Sequence, residues 1–203
     1  MIRNSPVRIV QNEVGSPEQK NQQIRPEEIL KNIGPEMDLL EKFIIHDIDT
    51  DVELLNTVAH HILLAGGKRL RPALVLLASS LFESIGKSSL RVAQVVEYLH
   101  TATLLHDDVI DESTLRRGVK TTNSIWGNQS SILVGDYLLS RCFEIMVQDG
   151  DLEVLQLLSS TSAKIAQGEV LQLQHKGEAD LLEETYIEII NLKTAALFAA
   201  ATK

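Results

Sequence analysis

The stretch EYLHTATLLHDDVIDESTLRRG, residues 97–118, joins an apolar helical pattern to a dense run of charged side chains. Within it, Asp107 and Asp111 are separated by one helical turn, offset by roughly 40° and about 6 Å along the axis, so both carboxylates share one face. Two carboxylates on an apolar helix repel each other and are costly to bury unless a cation lies between them. A solvated acidic helix end is the alternative, and the apolar residues on both sides of the motif weigh against it.

These oxygen ligands suit Mg²⁺, which usually takes one or two carboxylates and fills its other positions with water and substrate phosphate. Arg116 and Arg117 stand shortly after Asp111 and precede a glycine. Because arginine forks match phosphate oxygens, the two kinds of group could together present Mg²⁺ and positive charge to a diphosphate. Mutual neutralisation on the surface is the other possibility.

A second basic motif, GGKRLRP at residues 66–72, stands at a predicted helix start. There the free N–H groups and the helix dipole favour an anion. The motif adds three positive charges, those of Lys68, Arg69 and Arg71. Taken alone, it is typical of a basic turn between two helices.

The composition indicates one domain with a substantial core, since the chain has 203 residues, 44% of them hydrophobic. A formal net charge of -9 argues against nucleic-acid binding. Apolar residues recur at helical spacing, and no run of alternating β-branched residues predicts a strand, so the expected class is all-α. Helices are predicted at residues 26–33, 36–46, 51–65, 70–82, 88–111, 128–148, 151–174 and from 182 onward, with a polar loop at 112–122.

The two ends of the sequence differ in character. Residues 1–25 are rich in Asn, Gln, Pro and Ser and are expected to form a poorly ordered tail, and residues 26–203 to belong to a single domain. The helical pattern is still in progress at Lys203, which indicates a part of a longer protein. One cysteine, Cys142, no visible secretory signal and no apolar stretch long enough to span a bilayer lead us to expect a cytoplasmic protein.

Three motifs occur in one order: GGKRLRP, the stretch at 97–118, and GDYLLSR at 135–141. Together with GEVLQLQ at 168–174 and the pair Lys193-Thr194, they resemble the trans (head-to-tail) polyprenyl diphosphate synthases over residues 36–203. The long-chain, octaprenyl-like synthases of quinone side-chain biosynthesis are the members it resembles most. The resemblance implies the all-α isoprenoid synthase fold, a helical bundle around a central cavity, here in an incomplete, C-terminally truncated copy.

The resemblance also implies a role for individual residues. Asp107 and Asp111 would bind Mg²⁺, with Asp108 in support, and the catalytic set would comprise Asp107, Asp108, Asp111, Arg116 and Arg117. The isopentenyl diphosphate would contact Lys68, Arg71, His100 and Arg117. The allylic diphosphate would contact Arg116, Lys193 and Thr194.

The implied reaction condenses isopentenyl diphosphate with an allylic diphosphate into an all-trans polyprenyl diphosphate. Metal and cations stabilise the departing diphosphate, and an apolar cavity protects the allylic carbocation from water. The family carries a second aspartate-rich motif, of the FQxxDD kind, which this sequence lacks, so we expect the 203 residues alone to be inactive or nearly so. Homodimers are usual in the family.

Product length is expected to depend on Ala102 and Thr103, which lie about one turn before Asp107. Small side chains there leave the elongation cavity open, which favours a product of octaprenyl length or longer, although small residues are also common in ordinary helix packing. A phenylalanine at position 102 is expected to shorten the product.

Two other functions fit parts of the sequence. A non-catalytic or regulatory subunit of a heteromeric prenyl synthase would fit the short length, but would not need the intact DDxxD and RRG motifs. A histidine-aspartate metal phosphohydrolase is suggested by His60 or His61 with His106 and Asp107, and it leaves the basic motifs unexplained.

Overall fold

The computed structural model describes residues 26–65, 67–82 and 85–203, so the expected tail at 1–25 lies outside the described residues, as does Gly66 of the basic motif. The described residues are helical almost throughout, which confirms the all-α class. The α-helices are α1 Pro26–Leu30, α2 Gly34–Asp47, α3 Glu53–Leu64, α4 Leu70–Ser80, α5 Lys87–Ile110, α6 Thr122–Asp149, α7 Leu152–Gln174, α8 Glu183–Ile190 and α9 Ala196–Ala201. A 3₁₀ turn, Lys31–Ile33, separates α1 from α2, and a π-helical turn, Asn191–Ala195, separates α8 from α9.

Helix α5 forms the centre of the bundle. Every residue from 93 to 99 is buried, which requires neighbours on all sides of the helix. Its main partners are α4 and α6, while α2 and α9 also pack against it. The acidic motif is the last turn of this central helix, so the core itself fixes where the carboxylates lie.

A β-hairpin joins α5 to α6 in the segment predicted as a polar loop. Strand β1, Leu115–Arg116, pairs antiparallel with β2, Val119–Lys120. The two turn residues, Arg117 and Gly118, have φ angles of 54° and 81°, the combination that two-residue hairpins require. The RRG motif therefore places Arg116 on a strand and Arg117 at the turn.

Two helix boundaries differ from the prediction. Helix α6 begins at Thr122 and not near 128, because Gly127, with φ 84°, kinks the helix without ending it. The Ala/Leu-rich segment that follows α8 reads as uninterrupted α-helix in sequence, whereas the structure has the π-turn Asn191–Ala195 there. An inserted turn of this kind leaves no signature in apolar spacing.

The GDYLLSR motif attaches α6 to its neighbours. Gly135 leaves room for the His106 ring, since a Cβ at this position would lie 2.4 Å from His106 Nε2. At the other end of the motif, Arg141 forms an ion pair with Asp47 of α2. Nearby, the Ser131 hydroxyl donates to the Leu105 carbonyl at 2.8 Å. The contacts to His106 and Leu105 hold the last turns of α5 against α6, and the ion pair joins α6 to α2.

Within the described ranges, no helix is both long enough and apolar enough to cross a membrane.

Candidate active site

Four residues predicted to bind one diphosphate line a single cavity of about 460 Å³. They come from the α3–α4 loop, from α4, from α5 and from the hairpin turn: Lys68, Arg71, His100 and Arg117. Gly67 lies against this group, because a Cβ there would stand 3.0 Å from Arg117 Nη1. We call this space the cationic cavity.

The cationic cavity contains basic groups that are poorly solvated. Burial, together with the positive charges of Arg71 and Arg117, lowers the pKa of His100 to about 3, so its imidazole is neutral at pH 7. Burial also lowers the pKa of Arg71. Arg71 Nε is buried without a hydrogen-bond partner in the described structure, and its guanidinium stacks on the Phe198 ring of α9 at 4.3 Å. A buried donor without an acceptor favours an anionic ligand.

Arg69, the third cation of the basic motif, has a different environment. It forms ion pairs with Glu41 of α2 and Glu97 of α5, and it donates to the Leu63 carbonyl at 2.5 Å. Its backbone is left-handed, with φ 47°, immediately before α4. Sequence reasoning assigned Arg69 no role, and its partners show that it anchors the loop carrying Lys68. The sequence feature that could have indicated this role is Glu97, an acidic residue three positions before His100.

The second aspartate of the acidic motif is a structural partner of the hairpin. The Asp108 side chain is 1% exposed and accepts from Arg116 Nη2 at 2.8 Å and from Arg116 Nε at 3.1 Å. Hydrogen bonding to Asp108 raises the pKa of Arg116. Asn123 of α6 donates to the Asp108 carbonyl at 3.0 Å. This bidentate pair fixes the hairpin on the end of α5.

The first aspartate of the motif belongs to a charged cluster with α7 and the π-turn. Lys193 Nζ lies 3.2 Å from Asp107 Oδ2 and 2.6 Å from Glu169 Oε2. Burial opposes the charge of Lys193, but the hydrogen bond to Glu169 and the attraction of Asp107 outweigh it and raise the pKa of Lys193. Burial, and then the neighbouring Asp107, raise the pKa of Glu169 despite the hydrogen bond from Lys193. We call Asp107, Glu169 and Lys193 the acidic cluster.

Two other predicted residues, Asp111 and Thr194, are exposed. Asp111 is the C-cap of α5 and lies 3.6 Å from Lys176 Nζ, with the side chains 44% and 59% exposed. Thr194 is exposed on the π-turn beside Lys193. Glu169 was not predicted, although it stands in the GEVLQLQ motif that carried part of the resemblance.

The acidic motif fits a divalent cation only in part. Among the residues that the structure describes, no group of three His, Cys, Asp or Glu side chains is arranged to enclose a metal ion. Mg²⁺ does not need such a group, because one or two carboxylates with water and substrate phosphate suffice. In the acidic cluster, Glu169 Oε1 is buried without a hydrogen-bond partner among the described atoms. The cluster can therefore accept one more hydrogen bond or ligand there.

A smaller, mainly apolar cavity of about 200 Å³ opens beside Asp107. It lies between α5, α6 and α7, and Thr103, Leu99, Leu139 and Ile165 contribute to its wall. The Thr103 hydroxyl donates to the His100 carbonyl at 2.7 Å. Only the methyl group of Thr103 is then left to obstruct the cavity. Ala102 is fully buried on α5 and lies outside the lining of this cavity.

The histidines of the phosphohydrolase alternative lie apart. His60 faces Asp49 at 3.7 Å, His61 contacts Trp126 and the Lys120 carbonyl, and His106 packs on α6 beside Asp136. His106 lines one cavity together with Asp107, whereas His60 and His61 do not line it, so the described structure does not bring the three histidines together there.

Comparisons with known proteins identify the family of the chain. Residues 52–203 match the polyprenyl synthetase family, and the chain belongs to that family. It is 44% identical over 160 residues to the octaprenyl diphosphate synthase of Escherichia coli K12, covering 79% of this chain and 50% of that protein. It is 42% identical over 178 residues to the all-trans-nonaprenyl-diphosphate synthase (geranyl-diphosphate specific) of Rhodobacter capsulatus, covering 87% of this chain and 55% of that protein.

Solved structures show the same fold. The decaprenyl diphosphate synthase of Rhodobacter capsulatus superposes with a TM-score of 0.84 at 43% identity, covering 87% of this chain and 55% of that one. The polyprenyl synthase of Caulobacter crescentus CB15, complexed with calcium and isoprenyl diphosphate, gives 0.83 at 42% identity, covering 86% and 53%. The predicted isoprenoid synthase fold and the resemblance to long-chain members are thereby confirmed. The chain spans about half the length of the relatives it matches.

Proposed function

We propose that this chain supplies the isopentenyl diphosphate pocket and the first metal-binding motif of a long-chain trans-polyprenyl diphosphate synthase. The observation that carries the proposal is the cationic cavity, in which Lys68, Arg71, His100 and Arg117 converge from four separate elements. Four such groups around one cavity match a ligand with two phosphates. The family relationship supports the same assignment.

The residues divide into two sets along α5. The cationic cavity holds isopentenyl diphosphate, and the neutral His100 donates a hydrogen bond to it without adding charge. Arg116, Lys193 and Thr194 face the allylic diphosphate, where their positive charge and hydroxyl stabilise the negative charge that grows on the leaving group. The apolar cavity at Thr103 keeps water from the carbocation.

Mg²⁺ is the proposed cofactor, and Asp107 and Asp111 are the residues that would hold it. Bound there, it supplies positive charge to the departing diphosphate. Calcium stands with isoprenyl diphosphate in the related Caulobacter crescentus structure, which supports a divalent cation in this family. The proposed transferase activity rests on the DDxxD and RRG motifs, which a purely regulatory subunit would not require.

The proposal is tested by transfer of radiolabelled isopentenyl diphosphate to an allylic diphosphate in the presence of Mg²⁺. We expect the 203-residue chain to give little or no extractable product, because its sequence lacks the family's second aspartate-rich motif. A chimera that appends the unmatched C-terminal part of the Escherichia coli relative is expected to restore turnover, and Asp107→Ala in the chimera to abolish it. Turnover that survives Asp107→Ala would overturn the proposal.

Residues 26–203 are proposed to be the N-terminal portion of one isoprenoid synthase domain, since a single hydrophobic core runs from Ile33 to Ala201. A cytoplasmic location is proposed on the single cysteine, whose thiol is buried. Service in quinone side-chain synthesis is proposed on the resemblance alone.

The proposed product is long. The cavity at Thr103 starts beside Asp107 and continues the line of α5 away from the hairpin. We expect Thr103→Phe to weaken binding of farnesyl diphosphate by about tenfold while leaving isopentenyl diphosphate binding unchanged. Ala102→Phe serves as a comparison, because a larger side chain at this fully buried position acts first on core packing. Equal effects of both changes on both ligands would contradict an elongation cavity at Thr103.

A homodimer is proposed on the outer face of α6. Ile132, Phe143 and Val147 lie within about 60° of one another on the helix and are 40%, 53% and 67% exposed. Light scattering after gel filtration measures the mass directly. Phe143→Glu is expected to shift a dimer to monomer, and a monomeric wild type would refute the dimer.

A further inference from the structure

The π-turn that carries Lys193 is docked tightly on α7. A Cβ at Gly168 would lie 2.7 Å from the backbone nitrogen of Lys193 and 2.8 Å from Leu192 Cβ. Only glycine at position 168 permits this approach of the two backbones. The close contact between the π-turn and Gly168 therefore fixes the position of the Lys193 backbone, and with it the start of the side chain, relative to α7.

The next residue of α7, Glu169, makes the shorter of the two contacts to the Lys193 ammonium. The distances are 2.6 Å to Glu169 Oε2 and 3.2 Å to Asp107 Oδ2. All three side chains are mostly shielded, with 19% exposure for Glu169, 13% for Asp107 and 22% for Lys193. Charges in this environment interact more strongly than those of an open surface pair.

The acidic cluster holds one positive charge between two carboxylates. Lys193 thus lies at a position where it competes with any cation that approaches Asp107. With Glu169 present, the ammonium retains a carboxylate partner when a metal ion takes Asp107. Without Glu169, the ammonium would pair with Asp107 alone.

We propose that Glu169 is a positioning residue that holds Lys193 beside Asp107 and thereby keeps Asp107 available to a divalent cation. This inference rests on the proposed metal site and deepens it. Glu169 acts through Lys193, and its contribution to metal binding depends on the presence of that lysine.

The test is a double-mutant cycle on the affinity of the 203-residue chain for Mn²⁺, used as a probe and measured by electron paramagnetic resonance at pH 7. We expect Glu169→Gln to weaken Mn²⁺ binding about fivefold and Lys193→Met to tighten it by a similar factor. In the Lys193→Met background, Glu169→Gln is expected to change the affinity by no more than about twofold. An equal loss in both backgrounds would overturn the inference, because Glu169 would then be a metal ligand in its own right.

Three further variants make the result unambiguous. Glu169→Asp keeps the charge and is expected to bind Mn²⁺ within about twofold of wild type, which preserves the test if the glutamine variant does not fold. Glu178→Gln removes a carboxylate from an exposed surface pair with His175 and is expected to have no effect. Asp107→Asn must weaken Mn²⁺ binding. If it does not, the proposed metal site itself is wrong, whereas the inference about Glu169 fails alone when only the cycle is additive.

Discussion

The cationic cavity and the acidic cluster both border helix α5 and differ in how their charged side chains are paired. In the cationic cavity, the nearby carboxylates Glu41 and Glu97 are bound to Arg69, and Arg71 Nε has no hydrogen-bond partner in the described structure. In the acidic cluster, Asp107 already has a basic partner in Lys193. The first region is arranged to receive an anion directly, whereas the second must exchange an internal cation for an external one.

The largest expected effect comes from Arg71 in the cationic cavity, whose buried Nε has no hydrogen-bond partner in the described structure. Arg71→Met should weaken isopentenyl diphosphate binding about 100-fold, because it removes a charge-assisted contact to phosphate. Isothermal titration calorimetry on the 203-residue chain measures this. The matched control is Arg91→Met, which removes the same charge from a pair with Asp149 at the far end of α5. Similar losses for both variants would show that general charge, and not the cavity, governs binding.

Asp108 differs from both regions, because it is paired with Arg116 inside the protein and serves stability. Asp108→Asn should lower the free energy of unfolding by about 2 kcal/mol, because it leaves the Arg116 guanidinium without its bidentate partner. Part of the full penalty for a broken buried pair is relieved, since the Arg116 side chain is 34% exposed. Urea denaturation measures the change.

The control for this stability effect is Asp111→Asn, at the exposed end of the same motif. It should change the free energy of unfolding by less than about 0.5 kcal/mol, because its pair with Lys176 is solvated. Equal destabilisation by the two variants would contradict the division of the motif into a structural and a ligand-binding carboxylate.

The stability of the protein should depend on pH through His100 of the cationic cavity. The pKa of His100 is about 3 in the folded chain against 6.5 as its ordinary value, so the unfolded chain binds a proton there before the folded chain does. Stability from a neutral His100 is present above pH 6.5 and is lost as the pH falls toward 3. Between pH 8 and pH 5.5, wild type should therefore lose about 1 kcal/mol more unfolding free energy than His100→Gln. Parallel stability curves for the two proteins would contradict a buried neutral imidazole.

Much of this arrangement is predictable from sequence because it depends on local spacing. The position of Asp107 and Asp111 one turn apart at the end of α5 follows from their spacing, and the all-α class follows from apolar periodicity. The different environments of Arg69 and Arg71 do not follow, because the two guanidinium groups are two residues apart in one basic motif. Arg69 is distinguished by Glu41 and Glu97, each 28 residues away along the chain.

Membership of Glu169 in the acidic cluster is not predictable from sequence for a related reason. Glu169 is adjacent to Lys193 only because the π-turn docks on Gly168, and a π-turn is not visible in an Ala/Leu-rich helical pattern. Helix α6 starts at Thr122, earlier than the predicted start at 128, because the helix kinks at Gly127 and continues. In each case a tertiary contact or a single backbone angle overrides the local pattern.

The smallest expected effect concerns Phe198, the α9 side chain that stacks on Arg71 of the cationic cavity. The Phe198 ring of α9 lies 4.3 Å from the Arg71 guanidinium, and stacking of this kind restrains the orientation of the cation. Phe198→Leu keeps an apolar side chain but removes the aromatic face, so it should weaken isopentenyl diphosphate binding by about threefold without a comparable loss in the Arg71→Met background. Calorimetry on the four proteins of this cycle decides the matter. An effect that persists in the absence of Arg71 would assign Phe198 to core packing alone and would make the cavity less dependent on α9 than its geometry implies.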